Sequence, residues 1–269
     1  MRTIVHLSDI HFGRVDPQVI SPLIETIRRI NPDLVAVSGD LTQRARSYQF
    51  KEARAFLDAL PKPQIVVPGN HDVPLYNVFA RFLQPLTKYQ RYITSDLRPF
   101  YYDDEIAVLG VNTARSLTIK GGRINEDQIA WMRGRLSPLD DDIVKIVVTH
   151  HPFDLPEGHD ERNLVGRSRM AMEALASCGA DLFLAGHLHV SHTTHSATRY
   201  KIKGHSALVV QAGTAASIRG RGEANSFNVI RIDFPQISVE RLEWQPAHSD
   251  FKPAMTEHFT HTADGWVRV

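Results

Sequence analysis

Five short apolar runs in this chain leave the core in the same way. "TIVHLS" is followed by Asp9 and His11, "LVAVS" by Asp40, "QIVV" by Asn70, His71 and Asp72, "KIVVT" by His150 and His151, and "DLFLA" by His187 and His189. Runs of this length, rich in Val, Ile and Leu and apolar on both faces, are the pattern of buried strands. A buried strand that ends in His, Asp or Asn needs a rim where those groups are solvated or bound. In open α/β sheets that rim is the crevice outside the carboxyl ends of the strands. The five exits are therefore expected to meet in space although they are spread from Asp9 to His189.

Further strand candidates are "IAVLGV", "ALVVQ", "FNVIRIDF" and "ISVERLEW", and the last two alternate as half-exposed strands do. Segments of helical period lie between the early ones. "PQVISPLIETIRRI" follows Asp16, "SYQFKEARAFLDAL" follows Arg46, "NEDQIAWMRGRL" opens at Asn125, and "SRMAMEALASCG" closes at Gly179. Strand and helix alternate to about Leu184, after which strand follows strand. This order predicts an α/β layered fold whose second half is more antiparallel. It does not separate a two-sheet sandwich from a single doubly wound sheet. The 75–103 region, rich in aromatics and arginine, reads as helix plus irregular cover, and the tail after Trp244 is too polar to assign. With no repeat or linker-like tract, we expect one domain over 1–269, its catalytic motifs within 9–189 and its C-terminal strands and tail in 207–269.

Composition excludes several classes of function. The 269 residues are 42% hydrophobic and 23% charged, with a formal net charge of +1, so no global basic field suits long nucleic acid. The single cysteine, Cys178, permits no internal disulfide. The opening "MRTIVHLSD" has too short an apolar run for a secretory leader, and no stretch of about 18 apolar residues occurs. A cytoplasmic protein is the expectation.

Each polar exit alone has a bland reading. Asp-x-His after a strand is often a turn with a cap, and "NHD" is compatible with an Asx-type turn. The bland reading becomes poor when it must explain five strand ends at once, while "VNT" and "QAG" carry no such density. Asp9, His11, Asp40, Asn70, His150, His187 and His189 are too many donors for one ion and about right for two. A mixed N/O set without cysteine favours Mn or Fe, with Zn also suited. Such paired sites occur in phosphatases and nucleases.

The motifs "DIH", "GD", "GNHD", "HH" and "GHLH", in this order, resemble the signature of the calcineurin-like metallophosphoesterases. Through "SDIHFG", "SGDLT", "PGNHD" and "GVNTAR" the chain is most similar to bacterial class III cyclic-nucleotide phosphodiesterase-like proteins. The resemblance implies a four-layer αββα sandwich of two mixed sheets flanked by helices. It also implies that one metal takes Asp9, His11 and His189, that the other takes Asn70, His150 and His187, and that Asp40 bridges them. His71 would then donate a proton to the leaving oxygen or hydrogen-bond the phosphate, with Asp72 orienting it. The rival for His71 is a purely structural loop bond. His151 is either support for the ligands or loop packing.

Substrate contacts are expected from Arg14 and Asn112, which stand at strand exits, and "RSLTIKGGR" and "LPEGHDERNLVGRS" look like lids whose Arg115, Arg123 and Arg167 are either anion contacts or solvated charges. His192, His195 and His205 invite a third-metal reading, which an exposed hairpin explains more simply. "SIRGRGE" either caps the site or does nothing. The leading expectation is a binuclear hydrolase of small phosphodiesters, with cyclic nucleotides first and glycerophosphodiesters, lipid headgroups or nucleotide pyrophosphates behind them. A noncatalytic metal-binding interaction module and a nuclease rank lower. A homodimer contact through 75–103 or the tail stays open.

Overall fold

Alternate residues of the first strand point into two different cores, and this sets the layering of the protein. In β1 (Arg2–Leu7), Val5 and Leu7 pack with α1 (Pro17–Ile30), β2 (Leu34–Val37) and α2 (Ser47–Ala59), while Ile4 joins a second cluster on the opposite face. The computed structural model describes residues 1–75, 78–116, 120–219 and 222–269. After β3 (Gln64–Val66) come the short helices α3 (Val78–Leu83) and α4 (Thr87–Tyr92), then β4 (Phe100–Tyr102), β5 (Ile106–Gly110), α5 (Glu126–Leu136), β6 (Val144–Val148), α6 (Ser168–Ala176) and β7 (Ala180–Ala185). The chain closes with β8 (His192–His195), α7 (Ser196–Tyr200), β9 (Leu208–Gln211), β10 (Ser226–Asp233), β11 (Gln236–Gln245), β12 (Asp250–Thr262) and β13 (Gly265–Arg268).

One sheet has the order β13-β12-β11-β10-β1-β2-β3 and the other the order β4-β5-β6-β7-β9-β8. Both are mixed: β1, β2 and β3 run parallel while β10 pairs antiparallel with β1, and β5, β6, β7 and β9 run parallel between the antiparallel edges β4 and β8. Their inner faces close on one apolar layer that includes Ile4, Ala36, Ile65, Val108, Ile146, Leu184, Val210 and Ile230. The outer faces are covered by α1 and α2 on one side and by α5 and α6 on the other. This is the αββα sandwich. Full burial of both faces explains why seven strands read as continuous apolar runs.

The nine strand and four helix candidates all correspond to observed elements. Asp16 caps α1, its carboxylate accepting from the Gln18 amide at 3.0 Å, and Asn125 caps α5 with a reciprocal bond to Gln128. The tail that its polarity left unassigned forms β12 and β13. Most of β12 faces solvent, so pairing with β11 determines its state where side-chain pattern could not. Pairing of β10 with β1 puts 207–269 into the same sheets as the first half. Among the described residues no helix is long and apolar enough to cross a membrane.

Candidate metal centre

The loops that leave β1, β2 and β3 meet those that leave β6 and β7 at one rim of the sandwich. Their backbones are bonded to one another: the Asp9 amide donates to the Gly39 carbonyl at 3.1 Å, the His11 amide to Asp40 at 2.9 Å, and the Gly186 amide to His150 at 3.1 Å. Glycines let these loops approach so closely. A Cβ on Gly69 would stand 2.1 Å from Asp40 Oδ1, and Gly39, at φ +90°, would place one 2.8 Å from both Gly69 N and His150 Nδ1.

The backbone here is strained where the candidate ligands sit. Asp9, His11, Asp40, His187 and His189 all adopt positive φ, between 52° and 76°. Left-handed backbone costs an L-residue roughly 1–2 kcal/mol, and such outliers gather at functional sites because the surrounding structure holds them there. Five of them in one rim aim side chains inward that regular strand exits would splay apart.

All seven candidate ligands come together. His11 Nε2 lies 3.5 Å from Asp9 Oδ1, 3.3 Å from His189 Nε2 and 3.7 Å from Asp40 Oδ2. On the other side of Asp40, His150 Nε2 lies 3.5 Å from Asp40 Oδ1 and 3.0 Å from Asn70 Oδ1, which is in turn 3.1 Å from His187 Nδ1. Asp40 thus stands between an Asp9–His11–His189 group and an Asn70–His150–His187 group.

The donor set fits cations. Asp9 Oδ2 accepts from the Ser8 hydroxyl at 2.6 Å and the His187 amide at 2.8 Å, whereas Asp9 Oδ1 is buried without a hydrogen-bond partner among the described residues and faces two imidazole nitrogens. His150 donates Nδ1–H to the Ser38 carbonyl at 2.8 Å, and His189 Nδ1 lies 2.8 Å from the Thr214 hydroxyl, which leaves each Nε2 for the centre. Burial pushes the His187 imidazole down to about 3 and His189 to about 4. Burial raises the Asp9 carboxyl, but His189 and His11 overcome it and hold the group well below its ordinary range. Burial lowers His150 as well, but Asp40 and Asp9 overcome it and raise that imidazole, so a metal bound there would displace its proton.

Of the other expected residues, His71 is at the site and Asp72 acts differently from expectation. The His71 ring packs edge-on to His11 at 4.9 Å, with its Nδ1 2.9 Å from the Gln43 carbonyl and its Nε2 3.2 Å from Arg219 Nη1. Because a guanidinium only donates, Nε2 is the acceptor and the ring proton is on Nδ1. The Gln43 carbonyl, not Asp72, orients the ring. Asp72 is engaged by the amides of Leu41, Thr42 and Gly69 and by the Thr42 hydroxyl, at 2.8–3.1 Å, and so ties the loop after β2 to the loop after β3. His151 supports a loop: its Nδ1 meets the Thr113 hydroxyl and its Nε2 the Lys120 carbonyl, both at 2.8 Å.

The site opens into a cavity of about 630 Å³ floored by Asp40, Asn70, His71, His187 and His189 and rimmed by Lys120, Asp160, Arg162, Asn163 and Arg219. Neither Arg14 nor Asn112 lines it. Arg14 is exposed, its carbonyl accepting from Ile218 N, and Asn112 Oδ1 caps the Ala114 amide at 2.9 Å. Arg115 is held by the Arg123 carbonyl and Gln128, and Arg167 pairs with Glu126, so these loop arginines serve their own surroundings. The lid candidate 115–123 lies partly outside the described residues, as does "SIRGRGE". His192 and His195 lie on β8, and among the described residues every group of three or more candidate ligands belongs to the strand-end rim. Sequence reasoning singled out neither Lys120 nor Arg219, whose only signals were the lid candidate 115–123 and the Gly/Arg-rich loop "SIRGRGE".

Comparison with known proteins agrees with this geometry. A family model described as calcineurin-like phosphoesterase matches residues 2–191. The chain is 28% identical over 165 residues to the glycerophosphodiester phosphodiesterase GpdQ of Enterobacter lignolyticus, covering 56% of this chain and 58% of that protein. It is 26% identical over 160 residues to a probable cyclic nucleotide phosphodiesterase of Synechococcus, again over 56% and 58% of the two chains. The match therefore spans little more than half the length of these relatives. A dimetal phosphatase from Danio rerio superposes with a TM-score of 0.69 at 14% identity, over 97% of this chain and 99% of that one, which shows the shared fold. With the family match covering most of the sequence and every strand-end motif, the chain belongs to the calcineurin-like phosphoesterase family.

Proposed function

We propose that the protein is a binuclear-metal-dependent hydrolase of small phosphodiesters, with cyclic nucleotides as the first class to test. One observation carries the reading: Asp40 stands between two groups of donors, all but the half-buried Asn70 buried, that open together into a cavity of substrate size. Asp9, His11 and His189 would hold one ion, Asn70, His150 and His187 the other, and Asp40 both. Mn or Fe suits the mixed N/O set best, with Zn also compatible. When bound, the two ions would supply Lewis acidity toward the phosphoryl oxygens and a water of lowered pKa.

The protein's own groups do the rest. Ser38 and Thr214 fix the rings of His150 and His189, and Ser8 and the His187 amide fix Asp9. Arg219 and Lys120 favour an anion at the cavity mouth, and its walls restrict the substrate to something small. His71 Nε2, the nitrogen facing Arg219, would pass a proton to the leaving oxygen once the ring has been protonated there. The names of the relatives support two substrate classes, so the test is a matched panel of 3′,5′-cyclic nucleotides and glycerophosphodiesters on metal-loaded protein. Higher kcat/KM on the cyclic nucleotides is expected. Preference for glycerophosphodiesters would move the assignment to that class, and turnover of neither would count against a small-diester enzyme.

A further inference from the structure

Beside the main cavity, and sharing Asn70, His71, Lys120 and Arg219 with it, lies a second lobe of about 220 Å³ whose own lining is Gln43, Arg44, Val73 and Leu75. The His71 ring makes a T-shaped contact with His11, while its Nδ1 points to the Gln43 carbonyl, with Arg44 Nη1 3.5 Å from the same nitrogen. Three cations line this lobe, and among the described residues it has no carboxylate. The main cavity differs in that its rim carries a carboxylate, Asp160, which holds Arg162 at 2.8 Å.

A single phosphodiester carries one negative charge, which the metal centre and Arg219 already face. Arg44, with Lys120 beside it, suits a second anion, because arginine presents a fork of donors that matches phosphate oxygens. Val73 and Leu75 give that lobe an apolar wall against which the body of a substrate arm can rest. Resting on the phosphodiesterase reading above, we propose that the lobe is an anion subsite, and that a phosphodiester one of whose arms bears its own phosphate is bound more tightly than the same diester without it. Arg44 is then the residue that selects for it.

The test compares two chromogenic diesters that differ by one phosphate: thymidine 5′-(p-nitrophenyl phosphate) and the same compound carrying a 3′-phosphate. Both release nitrophenolate, so leaving-group chemistry is constant. The 3′-phosphate is expected to lower KM about tenfold, the effect of one good charge-assisted contact. Arg44→Ala should bring the ratio of the two KM values close to one, and Arg44→Lys should restore part of it. Calorimetric titration of thymidine 3′,5′-bisphosphate and thymidine 5′-phosphate should show the same preference in affinity and the same loss in Arg44→Ala. Equal KM values and equal affinities in the wild-type protein would overturn the subsite while leaving the phosphodiesterase reading intact. A preference that survives Arg44→Ala unchanged would also overturn it. Release of nitrophenolate from neither compound would overturn the phosphodiesterase reading and this inference with it.

Discussion

Arg219 Nη1 lies 3.2 Å from His71 Nε2, although 148 residues separate the two in sequence. The contact fixes His71 as an acceptor at Nε2, so a role as proton donor requires both that Arg219 move onto the phosphoryl group as substrate binds and that Nε2 take up a proton, making the ring an imidazolium whose Nδ1–H stays on the Gln43 carbonyl. His71→Ala should then keep its metal. On an alkyl diester its kcat should fall at least about a hundredfold, the usual range for losing a general acid. On a nitrophenyl diester, whose leaving group needs little protonation, the loss should be much smaller. Equal losses on both would show that His71 binds phosphate and transfers no proton.

Asp40 is the carboxylate placed between the two donor groups, 3.7 Å from His11 and 3.5 Å from His150. Asp40→Ala should lower bound metal to about one ion per chain or fewer and reduce turnover by more than the roughly tenfold to hundredfold effect of an outer ligand partner. Elemental analysis of the purified variant decides the point. Two full sites would contradict the bridging role.

Gly69 touches no ligand through a side chain, yet it determines where one stands. A methyl group there would sit 2.1 Å from Asp40 Oδ1 and 2.3 Å from Asp40 N, inside any permitted contact. Gly69→Ala should therefore displace the Asp40 loop, with activity loss near that of Asp40→Ala and about 1–3 kcal/mol of destabilisation. Denaturant unfolding and metal content measured on the same sample check both effects.

The distribution of what was legible in the sequence has a physical basis. Asp9, His11, Asp40, Asn70, His150, His187 and His189 could be picked out because each follows a strand buried on both faces, where a polar cluster is conspicuous. The positive φ of five of them left no trace in residue type, since these are not glycines. The role of Asp72 was misread because spacing cannot tell a carboxylate that holds a ring from one that collects the amides of Leu41, Thr42 and Gly69. Arg14 and Asn112 were placed near the centre by adjacency in sequence, whereas Arg44, Lys120 and Arg219 reach the cavity from loops that adjacency does not connect. The polar β12 was hidden because its burial is slight and its strand state comes from its partners.

Away from the site, Asp250 ties β12 to α1. Its carboxylate is held below the ordinary range first by Lys252 Nζ at 2.7 Å, and also by the Thr26 hydroxyl, the Phe251 amide and Arg29. A carboxyl whose folded pKa is depressed contributes stability above its unfolded value of about 3.9, and that contribution is lost as the pH falls through the lower folded value. Asp250→Asn should therefore lower unfolding free energy at pH 7 by about 0.5–1 kcal/mol, the solvent-screened range for such a pair. The difference from wild type should shrink below about pH 4. A difference that grows on acidification would contradict the assignment.

The most direct measurement is hydrolysis of bis(p-nitrophenyl) phosphate beside p-nitrophenyl phosphate, on protein stripped of metal and reloaded with Mn, Fe or Zn while bound metal is counted. The account predicts no turnover in the stripped protein, recovery as the second ion binds, and a higher kcat/KM for the diester. Two bound ions per chain with cleavage of neither ester would contradict it.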